Sequence, residues 1–191
     1  MRRKLVSIIG GRTENTGPQA CVLAESVGAE LGRRGYGVIT GGDEGIAAAA
    51  SRGCVRAGGE TIALLKGMSL DHPCNAYTTW VIPTATELAR SSPLLWAGHG
   101  VIAFEGRYGT LGEIALALDM GRPLVITGDH PLLNTAAINA PLCRVLPGND
   151  VTASEAVDAL EELIRQAPAD HHVQPVSSRP AVTRANDQGS C

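Results

Sequence analysis

Two glycine-rich turns are the segments of this chain best suited to chemistry. The first reads Thr40-Gly41-Gly42-Asp43-Glu44-Gly45; the second, about 65 residues later, reads Gly106-Arg107-Tyr108-Gly109-Thr110-Leu111-Gly112-Glu113. Each follows an apolar run and opens a helical pattern. Glycine lets a backbone approach a phosphate, while free N–H groups and the helix dipole attract the anion. Gly41, Gly42, Gly45, Gly106, Gly109 and Thr110 are therefore candidate phosphate-binding residues. Thr110 either caps the following helix or donates its hydroxyl to a phosphate oxygen. Taken singly, each turn is equally well explained by geometry, because strand-to-helix turns use glycine in any case. Neither turn matches the P-loop or the spaced glycines of dinucleotide binders. Asp43 and Glu44 would repel a phosphate if they faced inward and are expected to face outward.

The elements that must position these turns follow one rhythm: a short β-branched run, glycines, then an alanine-rich helical stretch. Leu5–Ile9, Tyr36–Thr40, Thr61–Leu65, Gly100–Phe104 and Pro123–Ile126 read as strands, with weaker runs at Thr79–Ile82 and Cys143–Leu146. Helical patterns cover Ala20–Leu31, Ile46–Val55 and Thr110–Met120. A further helix over Ser154–Arg165 is clearly amphipathic. Glu87–Arg90 begins a helical stretch that Pro93 interrupts, so the helix kinks there or restarts with Ser92 as its cap. Repeated strand–helix alternation predicts an α/β fold: a doubly wound, mainly parallel sheet of modified Rossmann type. It occupies a single domain, residues 1–166. Residues 167–191, with three prolines and no apolar period, read as a flexible C-terminal tail.

Composition narrows the function classes. A net charge of −3 offers no broad basic surface, so no nucleic-acid partner is expected. The apolar run after Arg2-Arg3-Lys4 stops at Gly10-Gly11, too early for a signal peptide or a membrane span. Five scattered cysteines without a C-x-x-C pair fit reduced cytoplasmic thiols. No metal site is expected, because His171-His172 have no spaced partner. His99 and Cys54 read as structural residues.

Val38–Gly42 with Gly45, Ala49–Gly59 (ending in Ala57-Gly58-Gly59), Asn75-Ala76-Tyr77, Ala89-Arg90, Tyr108–Ile114 and Arg122-Pro123 occur in an order that resembles the LOG-like, lysine-decarboxylase-annotated Rossmann superfamily. The resemblance covers about Leu5 to Ile126 and is nearest to the branch of molybdenum-cofactor carrier proteins. It implies a nucleotide or nucleotide-like small-molecule ligand whose 5′-phosphate rests on the glycine turns. It also implies a homodimer or higher homo-oligomer, paired through helices beside the site. Two activities come with it. One is a phosphoribohydrolase that cleaves the N-glycosidic bond of a nucleoside 5′-monophosphate, needs no cofactor, and uses Arg90 and Glu113 catalytically. The other is a non-catalytic carrier or sensor binding molybdopterin cofactor. The residues alone leave Glu113 equally readable as a helix-dipole carboxylate and Arg90 as a salt-bridged surface arginine. The chain departs from the hydrolase pattern at Glu105-Gly106-Arg107, where those members carry Pro-Gly-Gly. Arg107 thereby becomes a candidate phosphate ligand itself.

Overall fold

The computed structural model describes residues 4–148 and 150–168. Seven strands form one sheet: β1 (Leu5–Ile9), β2 (Gly37–Thr40), β3 (Thr61–Leu65), β4 (Trp80–Pro83), β5 (Gly100–Ala103), β6 (Leu124–Thr127) and β7 (Cys143–Leu146). Their spatial order is β4-β3-β2-β1-β5-β6-β7, and every pairing is parallel. The helices are α1 (Pro18–Arg33), α2 (Ile46–Arg56), α3 (Ser91–Ala97), α4 (Tyr108–Asp119) and α5 (Ala153–Gln166). The doubly wound parallel sheet matches the expectation from sequence, and it is parallel throughout.

Alternation along the strands divides the core in two. Val6, Ile8, Val38, Ile102, Phe104 and Val125 face α1, α2 and α5, while Ile9, Ile39, Leu64, Val101, Leu124 and Ile126 face α3 and α4. With so few aromatics, the first layer relies on close helix packing. A Cβ on Gly28 of α1 would lie 2.0 Å from the Ala50 carbonyl oxygen, and one on Gly53 of α2 would lie 1.9 Å from that of Glu25. Only glycine permits that approach, which brings the two helices nearly backbone to backbone.

Local signals set the element ends. Gly17 is the N-cap of α1 and Pro18 its first residue, where the missing N–H is no loss. A capping box of Thr152 and Glu155 opens α5. The stretch around Arg90 departs from both sequence readings. A single 3-10 turn, Leu88–Arg90, runs into α3 with Arg90 as N-cap, so Ser92 is not the cap. Pro93 falls within the first turn of α3, where its lack of an N–H breaks no helical bond. Arg122 is buried, donates to the Gly98 carbonyl just past α3, and stacks 4.7 Å from the Trp96 ring centre. Among the described residues, no helix is long and apolar enough to cross a membrane. His171 and His172, and the expected tail from residue 169 onward, lie outside the described residues.

Candidate functional site

Strand order reverses between β1 and β5, because β1 leads to β2 on one side while β5 lies on the other. In open parallel sheets, ligands settle outside the carboxyl ends of the strands at such a point. A cleft of about 350 Å3 lies there, walled by the β1–α1 loop, the β2–α2 turn, the start of α3 and the start of α4. Of the residues picked out from sequence, Gly41, Arg90, Arg107, Gly109, Thr110 and Glu113 line it. Gly42, Gly45 and Gly106 are not among its lining residues. Arg12, Glu14, Asn15, Asp43, Glu44, Glu87 and Ser91 complete its polar wall.

The β2–α2 turn is held from behind. The Arg90 guanidinium donates from Nη1 to the Gly41 carbonyl at 2.6 Å and to the Leu64 carbonyl at 2.7 Å. Its Nη2 meets the Asp43 carboxylate at 3.2 Å. A side chain at Gly41 would collide with that guanidinium, with a Cβ 2.9 Å from Nη1. Buried Asn75 supports the next two residues: its Nδ2 donates to the Gly42 and Asp43 carbonyls, at 3.2 and 3.3 Å. Gly45 has φ +81° and ψ −128°, a conformation that residues with side chains do not readily adopt. An added Cβ there would press within 2.6 Å of the Gly11 carbonyl oxygen. The glycines of this turn thus answer to chain geometry and to Arg90.

Asp43 corrects an expectation. It lines the cleft rather than facing away, because Arg12 at 3.1 Å and Arg90 at 3.2 Å both engage its carboxylate. Glu44 also lines the cleft.

The β5–α4 turn is built differently. Gly106 leaves room for the Thr110 side chain, since a Cβ would lie 2.2 Å from Thr110 Oγ1. Thr110 is the third residue of α4 and is buried; Arg107 is the N-cap, and no side chain caps the helix. Of the two roles weighed for Thr110, capping is therefore excluded. Gly109 has open space where a Cβ would stand. Arg107 is exposed, with its Nη1 3.5 Å from the Asn15 Oδ1 and its guanidinium 6.0 Å from the Tyr108 ring centre. It is a cation at the amino end of a twelve-residue helix with no carboxylate pairing it among the described ion pairs. The helix start adds uncapped N–H groups and the positive end of its dipole.

Glu113 lies one turn into α4 and accepts a hydrogen bond from Ser91 Oγ at 3.0 Å. Burial pushes its carboxyl above the ordinary range, against the smaller downward pull of the Ser91 hydrogen bond and the Arg90 charge. Glu113 therefore holds its proton to higher pH than a solvated glutamate does.

Three contributors were not picked out as site residues from the sequence. Gly10-Gly11-Arg12 ends β1 at the switch point, and only its position after the first strand marked it. At the start of α3 the sequence pointed to Ser92 in place of Ser91. Glu105 closes the β1–α1 loop, its carbonyl accepting from Gly11 N–H at 2.8 Å and its carboxylate accepting from Gly17 N–H. A second cleft of about 310 Å3 lies beyond Glu105, between α1 and the ends of β5 and β6.

Fold and cleft together define a Rossmann-like α/β protein of a nucleotide- or cofactor-binding type of fold, with a polar cleft at its switch point. Residues 3–155 match the model of the SLOG cluster4 family, and the chain belongs to that family. An uncharacterized protein of Archaeoglobus fulgidus is 31% identical over 113 residues, covering 56% of this chain and 74% of the relative. Among solved structures, the molybdenum cofactor binding protein of the phototrophic bacterium Rippkaea orientalis superposes with a TM-score of 0.75 at 25% identity. That match covers 86% of this chain and 99% of the other. The Moco carrier protein of Chlamydomonas reinhardtii gives a TM-score of 0.75 at 25% identity, covering 87% and 100%.

Proposed function

We propose that this protein binds a phosphate-bearing, nucleotide-like small molecule in the switch-point cleft and carries it without turning it over, with molybdopterin cofactor as the favoured cargo. The observation that carries this reading is the employment of Arg90. Its guanidinium serves the Gly41 and Leu64 carbonyls and Asp43, so it holds the protein's own loop in place of a substrate. Glu113, kept protonated by burial to higher pH than usual, is poorly suited to stabilising positive charge on a ribose. The anion-binding features lie across the cleft, at Arg107, Gly109 and the buried Thr110. The likeness to a molybdenum cofactor binding protein and a Moco carrier protein supports the choice of cargo.

One observation favours hydrolysis as a second reading: Glu113 and Arg90 line the same cleft, near enough for the Arg90 charge to act on the carboxyl. The test is a panel of purine, pyrimidine and modified-base nucleoside 5′-monophosphates, assayed for free base, beside calorimetric titration with molybdopterin. Tight molybdopterin binding without base release is the expected result. Base release that falls by roughly 10² in Glu113→Gln would overturn the carrier reading and establish the hydrolase.

A further inference from the structure

The second cleft, beyond Glu105, has a chemistry of its own. Leu23 of α1 and Phe104 at the end of β5 give it apolar walls, and Asp129 closes it from the loop after β6. The start of α1 forms another side. No side chain caps that sixteen-residue helix, and the Glu105 carboxylate accepts from the Gly17 N–H. The amides of Gln19 and Ala20, both lining the cleft, have no partner within the helix.

These walls limit what can enter. The positive end of the α1 dipole disfavours a cation. Glu105 and Asp129 disfavour an anion. A neutral, flat molecule with donors and acceptors along one edge meets both conditions, its ring lying against Leu23 and Phe104. Glu105 is engaged by Gly17, whereas Asp129 is exposed and joins none of the ion pairs among the described residues. A free carboxylate accepts two hydrogen bonds side by side, which calls for neighbouring N–H donors on the ligand. A free helix amide calls for a carbonyl. The 2-amino-oxo edge that guanine and pterin share carries amine, ring N–H and carbonyl in that order.

His130, the residue after Asp129, adds a further donor. It is 5% exposed, and its Nδ1 accepts from the Leu132 N–H at 3.3 Å, which leaves the proton on Nε2. Burial lowers its pKa, and the nearby Glu105 charge opposes that only in part, so the ring is neutral at pH 7. Its Nε2 has no partner among the described residues. A buried donor left so is costly, and an acceptor atom entering beside Glu105 would satisfy it.

We propose that the second cleft binds the 2-amino-oxo edge of a guanine-type ring, with Asp129 accepting from its amine and ring N–H and the start of α1 donating to its carbonyl. The site lies outside the switch-point cleft and does not rest on the cargo proposed there.

Calorimetric titration of the full chain with guanosine and inosine tests the proposal. Inosine differs from guanosine only in lacking the 2-amino group, and guanosine should bind about tenfold more tightly or better. Asp129→Asn sets an amide where the ring's donors need an acceptor. It should weaken guanosine binding about tenfold or more at unchanged Tm, because Asp129 is exposed. Hydrogen exchange with guanosine bound should slow the amides of Gln19 and Ala20 and leave those of Gly41–Gly45 unchanged. Pterin as a competitor separates the two rings with this edge: displacement of guanosine admits both, and its failure restricts the site to guanine. No guanosine binding, equal affinity for inosine, an Asp129→Asn variant that binds like wild type, or slowing confined to Gly41–Gly45 would each overturn the proposal.

Discussion

The β2–α2 and β5–α4 turns look alike as strings of glycine between a strand and a helix, yet the fold uses them in opposite ways. In the first, three successive carbonyls, those of Gly41, Gly42 and Asp43, are engaged by Arg90 and Asn75. Its one charged group deep in the cleft, Asp43, is shared between two guanidiniums. Among the described residues, the second turn has a helix start without a side-chain cap, an arginine that pairs with no carboxylate, and a glycine with open space beside it. One turn is closed on itself by side chains from elsewhere in the chain; the other presents its helix start and its cation to the cleft, as the proposed anion site requires. Glycine content alone does not distinguish a phosphate loop from a close-packed corner. The partners of the neighbouring carbonyls and cations do.

Substitutions can break that contrast at either end. Gly45→Ala should have the largest effect, a loss of about 3 kcal/mol or more from forbidden backbone torsions and collision with the β1–α1 loop, read as a fall in Tm. Gly109→Ala is its counterpart in the open turn. There the stability should hold or rise, by up to about 1 kcal/mol, since alanine favours a helix and meets nothing. A comparable loss in both variants would erase the distinction. Next comes Arg90→Ala, which leaves two carbonyls without their donor and Asp43 with Arg12 as its remaining partner. Denaturant unfolding should show a loss of about 2–3 kcal/mol. If Arg90→Ala instead unfolds like wild type and only weakens ligand binding, Arg90 belongs to the ligand.

The smallest effect concerns Glu113 and pH. Burial raises its folded-state pKa above the ordinary value of 4.5. Its contribution to stability is therefore fully present below that value and is lost as pH rises through the raised one. Gln cannot ionise but can still accept from Ser91. Glu113→Gln should then be slightly more stable than wild type at neutral pH, with the gap closing toward pH 4, as thermal melts across that range would show. A gap that widens on acidification would contradict the burial of Glu113.

Much of this fold was legible in the chain. Leu5–Ile9, Thr61–Leu65 and Cys143–Leu146 were read with the observed ends, because charged residues, glycine or proline bound these short runs closely. The Leu88–Ala97 region was less legible. Pro93 suggested an interruption, but a proline in a first helical turn costs nothing, and only the observed start of α3 shows that it falls there. Within the cleft, the residue types were readable and their pairings were not. Asp43 was expected to turn away from an anion. Two arginines distant in sequence from it and from each other, Arg12 and Arg90, draw it inward instead. Such contacts join separate βα units, and no local pattern announces them.

The contrast between the turns is tested most directly by calorimetry on wild type and Arg107→Ala, using the tightest-binding nucleoside 5′-monophosphate and its unphosphorylated nucleoside. If the anionic end of the ligand rests on Arg107 and the start of α4, wild type should prefer the monophosphate by about tenfold or more. Arg107→Ala should lose most of that preference, about 1.4 kcal/mol, while its Tm and its affinity for the nucleoside stay unchanged. A preference that survives intact in Arg107→Ala, or a wild type that binds both compounds equally, would contradict the assignment of the β5–α4 turn as the anion site.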